Sequence, residues 1–542
     1  MLDNIPILSL IAFSPLLGVL VLLFIRSDRG HLIKTIGIVT TLIPLALASW
    51  IYVDFQTQVT DPLQYKEQLE WIKIPLNMEW NENITNFFFE FKYSVAVDGL
   101  SLPLVFLTAL ISTMAALASV YIKKRWKTFY ILFLLLETGM FGVFMSQDLF
   151  LFFLFFEITL VPMFFLIGIW GFMDREKAAN RFLIYNGLGS AIMLIAFLIL
   201  VSTAGFTQIP SQEEFTIYYS GDIQTIMGNL FHNPESYANL VNPDNPFYMG
   251  SGLKWTLFIM LLVAFGIKLP IFPFHTWMLK VHSEAPTSIV MIHSGILLKM
   301  GAYGLIRFGI LLFPEEAKAW AWVLALLGVI NILYGAILAF VQKDFKLVLA
   351  YSSISHMGIV LLGLAAFNAA GMEGAVFQLV SHGLISALMF LIVGIIYERT
   401  NTTILSELGG LAKAIPFISG MLLVAGMASL GLPGLSGFVG EFLAFLGLFE
   451  NLRIYAVVGA LGIIGAAVYV LRGVLSITYG PMEEKYQGMK DARLIEAVPM
   501  IALVAFILLL GIYPSVLSHP LQQTIGGFDQ MIQSITAGKI GG

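Results

Sequence analysis

The stretch "VAFGIKLPIFPFHTW", residues 263–277, places one lysine, two prolines and one histidine inside a long apolar run. Proline removes a backbone donor and clashes with the preceding turn. A lysine at bilayer depth costs roughly 3 kcal/mol or more on insertion scales. A chain that accepts both within a few residues has a use for a broken, charged helix. Freed backbone groups are tolerated at membrane depth where they line a polar cavity or an ion path. A second interruption lies in "MASLGLPGLSGFVGEF", residues 427–442, with Glu441 near its end. Leu269-Pro270 and Leu432-Pro433 give the two stretches the same core. Two Pro/Gly-interrupted segments in corresponding halves point to a repeat-built transporter.

Outward from these breaks the composition sets the class. The chain has 542 residues, 58% of them hydrophobic and 12% charged, with a mean hydropathy of +0.87. Repeated apolar runs of about 20 residues identify a polytopic membrane protein. With no cysteine, thiolate metal sites, iron–sulfur ligation and disulfides within the chain are excluded. No Gly-rich phosphate loop follows a strand pattern, so nucleotide binding has no support, and nothing points to nucleic acid. The opening stretch has no basic n-region and its basic cluster follows the apolar run, so it reads as a retained first span.

Apolar runs predict an all-α fold of about fourteen spans, near 6–25, 35–53, 98–121, 128–146, 149–171, 182–204, 253–280, 287–311, 319–341, 347–367, 374–397, 414–449, 454–478 and 496–516. Lys and Arg cluster in alternate loops: Arg26, Arg29 and Lys34; Lys123, Lys124, Arg125 and Lys127; Arg175, Lys177 and Arg181; Lys343 and Lys346; Arg472, Lys485, Lys490 and Arg493. The positive-inside rule then puts these loops in the cytoplasm and both termini outside, in a bacterial plasma membrane. The long loops 54–97 and 205–252 are expected to cap the outer face, and the tail from Gly526 to be a partly mobile end.

Few ionisable residues remain at depth: Glu137, Glu157, Lys268, Lys299 and Glu441, with His275, His293, His356 and His382. Arg307 sits near the outer end of its span, where snorkelling suffices. An intramembrane acid or lysine is a functional-site hypothesis by default. The structural alternatives stay open: Glu157 and Lys268 as a pair holding two helices in register, and Glu137 as a protonated lone acid. A lone histidine on an apolar face is ordinarily a hydrogen-bonded core residue, and His275 and His382 carry the stronger functional expectation.

At these residues the chain resembles the antiporter-like subunits of respiratory complex I, most closely the M-type subunit. The matching stretches are "FFEITLVPMFFLIGIWG" (155–171), "KLPIFPFHTWMLKVHSEAPTSIVMIHSGILLKMGAYGLIRF" (268–308), "QKDFKLVLAYSSISHMG" (342–358) and "LPGLSGFVGEF" (432–442). The M-type resemblance rests on "EITLVPMFF" and on Glu441, where L- and N-type relatives have a lysine. The resemblance implies inverted repeats of helices 4–8 and 9–13 with broken helices 7 and 12. It also implies a division into 1–97, 98–312, 313–480 and 481–542. Glu157, Lys268, Lys299 and Glu441 would form the proton path, with His382, His275, Glu137, His356 and His293 as relay groups. His293 stands where a small apolar residue is expected, and Arg181 where a lysine is. The implied function is proton translocation in a quinone-reducing complex, an enzyme whose redox site lies outside this chain. No cofactor is expected here; quinone, iron–sulfur clusters and, as an open candidate, flavin belong to partner subunits. The implied partners are L-, N- and K-type neighbours and the lipid bilayer. Two rivals remain, a subunit of a multisubunit Na⁺/H⁺ antiporter and a passive membrane scaffold of a redox complex.

Overall fold

Uninterrupted apolar runs wind into long helices because in lipid a helix satisfies every backbone group within itself. The computed structural model describes residues 5–56, 61–76, 84–211 and 214–536. The chain enters with α1 (Ile7–Phe24) and α2 (Gly30–Asp54), then forms strands β1 (Gln64–Pro75) and β2 (Ile84–Val97). Four helices follow: α3 (Ser101–Ala118), α4 (Trp126–Met145), α5 (Leu149–Trp170) and α6 (Arg175–Ser202). Strands β3 (Phe206–Ser211) and β4 (Glu214–Ser220) and a short α7 (Ile223–Met227) lead into α8 (Ser251–Lys268) and α9 (Thr276–Glu284). Next come α10 (Thr287–Ile292) and α11 (Leu298–Gly304), joined by a π turn at His293–Leu297. A second π turn at Leu305–Ile310 extends them into one rod, Thr287–Ile310.

The second half begins with the short α12 (Pro314–Ala319), then α13 (Ala321–Val341), α14 (Phe345–Ala365) and α15 (Ala369–Thr400). α16 (Pro416–Ser429), α17 (Ser436–Asn451), α18 (Arg453–Thr478), α19 (Leu494–Ile512) and α20 (Ser515–Thr536) complete it. Among the described residues, thirteen helices are long and apolar enough to cross a membrane. The protein is therefore an all-α polytopic membrane protein. The span 414–449 is broken, as its prolines and glycines predict, into two short arms, α16 and α17. The turn between them contains Pro433 and two left-handed glycines, Gly431 at φ +69° and Gly434 at φ +92°, a conformation glycine adopts without steric cost.

The two long loops meet in one sheet, in the order β1-β2-β4-β3. β2 pairs in parallel with β4, while the outer pairs are antiparallel. β2 reads "ITNFFFEFKYSVAV", rich in the aromatic and β-branched residues that suit a pleated surface. The sheet lies at the helix ends opposite the basic loops, and it caps helices directly. Glu67 of β1 accepts the Leu8 amide at the start of α1 at 2.6 Å. Asp148, before α5, accepts from the Phe150 and Leu151 amides and from Lys92 of β2 at 3.3 Å, the usual chemistry of an N-cap acid.

Within the expected tail, residues 526–536 continue α20 as helix, and residues 537–542 lie outside the described residues. The helix holds because α20 packs onto the bundle: the Val516 carbonyl accepts from the Tyr52 hydroxyl at 2.8 Å, and Phe528 meets Phe367 at 6.0 Å between ring centres. Arg307 does not snorkel to water. Its guanidinium is bound 2.5 Å from Asp98, at the junction of β2 and α3, with side chains only 13% and 5% exposed.

Candidate functional site

The first break positions Lys268. α8 stops there because Pro270 cannot continue the helix, and the orphaned groups find local partners. The Trp277 indole donates to the Ile267 carbonyl at 3.0 Å, and the Phe272 amide donates to Asn331 of α13 at 2.9 Å. Lys268 is 2% exposed and its ammonium has no hydrogen-bond partner. It lies over the Phe156 ring at 4.9 Å and the Phe182 ring at 5.5 Å. Glu157 is on α5 next to Phe156, its Oε1 buried and unpartnered, and no ion pair joins it to Lys268. The register-holding pair is thus not formed here.

The second group is brought together from four helices. The π turn before α11 turns Lys299 inward, where its ammonium donates to the Ser294 carbonyl and lies 2.8 Å from His382 Nδ1 on α15. The His382 and His356 rings are 5.4 Å apart. His356 Nδ1, on α14, is 3.5 Å from Glu441 Oε1 on α17. Lys299, His382, His356 and Glu441 are respectively 0%, 5%, 5% and 7% exposed, so the string is buried within the helix bundle. The second break places Glu441 at its end. The carboxylate packs over Gly431, where a Cβ would lie 2.5 Å from Oε2. Every group in the string can take up and release a proton. Lys299 and His382, at hydrogen-bond distance, can therefore pass one directly, while the gaps from His382 to His356 and from His356 to Glu441 are wider.

The remaining expected residues divide. His293 is hydrogen-bonded to His282 at 2.8 Å, and both imidazoles are fully buried with their outer nitrogens unpartnered. Sequence reasoning missed His282. The signal was present in "KVHSEAP" (280–286), but a histidine near a polar helix end looks like a loop residue. His275 bonds the Tyr334 hydroxyl at 3.1 Å and joins neither string. Glu137 is fully buried with both oxygens unpartnered and meets none of the other site residues. Gln378, also missed, donates to His356 Nδ1 at 3.1 Å. Among the described residues no group of three or more His, Cys, Asp or Glu is placed to hold a metal ion.

The chain is similar to known membrane proteins along most of its length. Residues 146–467 match the family model described as NADH:quinone oxidoreductase/Mrp antiporter, TM. A curated relative, NAD(P)H-quinone oxidoreductase chain 4 3 of Trichormus variabilis, is 37% identical over 95% of this chain and 89% of its own. A chain of respiratory complex I from Thermus thermophilus superposes with a TM-score of 0.76 at 26% identity, covering 96% of this chain and 99% of that one. A chain of the Mrp complex from Dietzia sp. shares the fold, with a TM-score of 0.77 at 20% identity over 97% and 99% of the two chains.

Proposed function

This chain belongs to the NADH:quinone oxidoreductase/Mrp antiporter transmembrane family, and from that premise we propose that it is a proton-translocating membrane subunit of a quinone-reducing complex. The carrying observation is the buried string Lys299–His382–His356–Glu441, four titratable groups in sequence where a scaffold would need none. Electron transfer occurs in partner subunits that hold the quinone and iron–sulfur clusters, with flavin where the electron donor requires it. L-, N- and K-type chains are its neighbours in the membrane. The basic loops face the cytoplasm of a bacterial cell and both termini face outside, by the positive-inside rule.

The two broken helices belong to inverted repeats of helices 4–8 and 9–13, within a chain divided at about 97, 312 and 480. Lys268 and Glu157 act as the switch, with the hydrogen-bonded pair His282 and His293 as relay groups. Moving one proton against about 150 mV costs roughly 3.5 kcal/mol, at about 2.3 per 100 mV. That equals a change in proton affinity of about 2.5 pKa units at 1.36 kcal/mol each. Moving a carboxylate toward or away from a buried amine supplies a change of that size.

The test is Lys299→Arg beside Lys299→Ala, in membranes where electron transfer and membrane potential are recorded together. Arginine keeps the charge and cannot release its proton, so both variants should lose most pumping. Normal pumping by Lys299→Arg would make Lys299 a fixed charge and defeat the reading. The rival Na⁺/H⁺ antiporter reading predicts sodium-dependent proton movement without any quinone reductase present.

A further inference from the structure

His356 Nδ1 has two suitors. The Gln378 amide nitrogen lies 3.1 Å from it and the Glu441 carboxylate 3.5 Å from it. A ring nitrogen carries either a lone pair or a hydrogen. It can accept from the amide or donate to the carboxylate, and it cannot do both at once. The Gln378 side chain is also half satisfied: it is 2% exposed, yet its carbonyl Oε1 is buried without a partner. Leaving a buried acceptor without a partner is unfavourable, which makes it a poor structural fixture. Space has been left for that oxygen, since a Cβ on Gly440 would lie 2.7 Å from it.

Turning the amide over exchanges its two ends at nearly constant shape. In one orientation –NH₂ donates to a bare Nδ1; in the other C=O accepts from Nδ1–H. The amide therefore fits both forms of the ring. Other groups facing His356 are the Ser429 hydroxyl at Nε2, 3.3 Å away, and the His382 ring with Lys299 behind it. Tyr469 on α18, bonded to Ser352, completes the polar surround.

We propose that Gln378 is a positioning residue: its side-chain amide, by turning over, sets when the proton on His356 Nδ1 passes to Glu441. This rests on the proton-path reading above. In the transfer the Nδ1–H bond breaks and an O–H bond forms on Glu441. The imidazolium and carboxylate become imidazole and carboxylic acid. The bare Nδ1 is then recaptured by the Gln378 –NH₂, which prevents the proton from returning.

The experiment is ¹⁵N magnetic resonance on the assembled complex carrying ¹⁵N-histidine, with the His356 signal identified by its loss in His356→Asn. The resting protein should show a bare Nδ1, and Gln378→Met should show Nδ1–H, because Glu441 is then the sole partner at that nitrogen. Gln378→Glu, of nearly native size, is the second variant should methionine prevent assembly. Its carboxylate only accepts when ionised, so it too should place a hydrogen on Nδ1. The same Nδ1 state in native and variant proteins overturns the assignment. Protons pumped per electron should fall at least fivefold in Gln378→Met at equal assembly, and an unchanged ratio overturns the assignment equally. Glu441→Gln alone tests the underlying reading. Normal pumping there sinks the proton path, whatever Gln378 does.

Discussion

Lys268, held between two phenylalanine rings and bonded to nothing, contributes little to holding the fold together. Replacing a buried charge by an apolar side chain of similar volume is often neutral or stabilising. Lys268→Met should therefore leave the thermal midpoint of the assembled complex unchanged or raised, while pumping falls at least tenfold. A midpoint that drops together with pumping would make the lysine structural. Asp148 behaves differently because it stands outside the spans. Burial pushes its carboxyl from 3.8 up to about 6, and the amides of Leu151, Lys92 and Phe150 offset only part of that. With the folded value above the unfolded one, the folded state holds the extra proton. Stability from this group thus grows as pH falls from about 6 toward 4 and is level below. Two units at 1.36 kcal/mol make about 3 kcal/mol. Relative to native protein, Asp148→Asn should be more stable at pH 7.5 than at pH 4.5 by up to about that amount. A difference independent of pH, read from thermal unfolding, defeats the assignment.

At the scale of elements, the breaks were legible because their causes are local. "KLPIFP" and "GLPGLSG" carry their own proline and glycine punctuation, and a short window of sequence contains the whole reason. Lys268, Lys299 and Glu441 were legible for the same reason, being charges in apolar runs. His282 and Gln378 were not. Each gains its role from a partner on a packed neighbour, His293 for the one and His356 for the other, and no spacing along a single helix announces that. α20 was hidden by its mixture of glycine and polar residues, which reads as a tail until Tyr52 and Phe367 are seen beneath it. The close approach at the first break gives a prediction. A Cβ on Gly301 of α11 would lie 2.6 Å from the Leu269 amide and 2.9 Å from the Phe265 carbonyl. Both are backbone atoms that cannot swing aside. Gly301→Ala should cost about 1–3 kcal/mol, seen as a lower thermal midpoint with weakened pumping; a native midpoint would show that the break is loosely packed.

For the whole molecule, the sheet and the helices are tied by Asp98 and Arg307. Removing one partner of a buried ion pair costs about 3–5 kcal/mol, whereas replacing both by apolar groups can be nearly neutral. Asp98→Asn should sharply lower the amount of assembled complex, and Asp98→Leu combined with Arg307→Met should recover most of it. Equal losses in single and double variants, measured by native gel, would locate the effect elsewhere.

The parallel pairing of β2 with β4 also bears on how the chain is made. β2 ends at Val97 and β4 begins at Glu214, with α3, α4, α5 and α6 between them. At about 5–20 residues per second of synthesis, roughly 6–25 s separate the two strands. For that interval β2 presents an open, phenylalanine-rich edge, the kind of surface that recruits wrong partners. The sheet can close only if an even number of the four intervening helices have crossed, since an odd number would deliver β4 to the opposite compartment. Pairing thereby converts correct insertion into a mechanical check, and a chain that fails it keeps an unpaired strand where quality-control proteases can seize it.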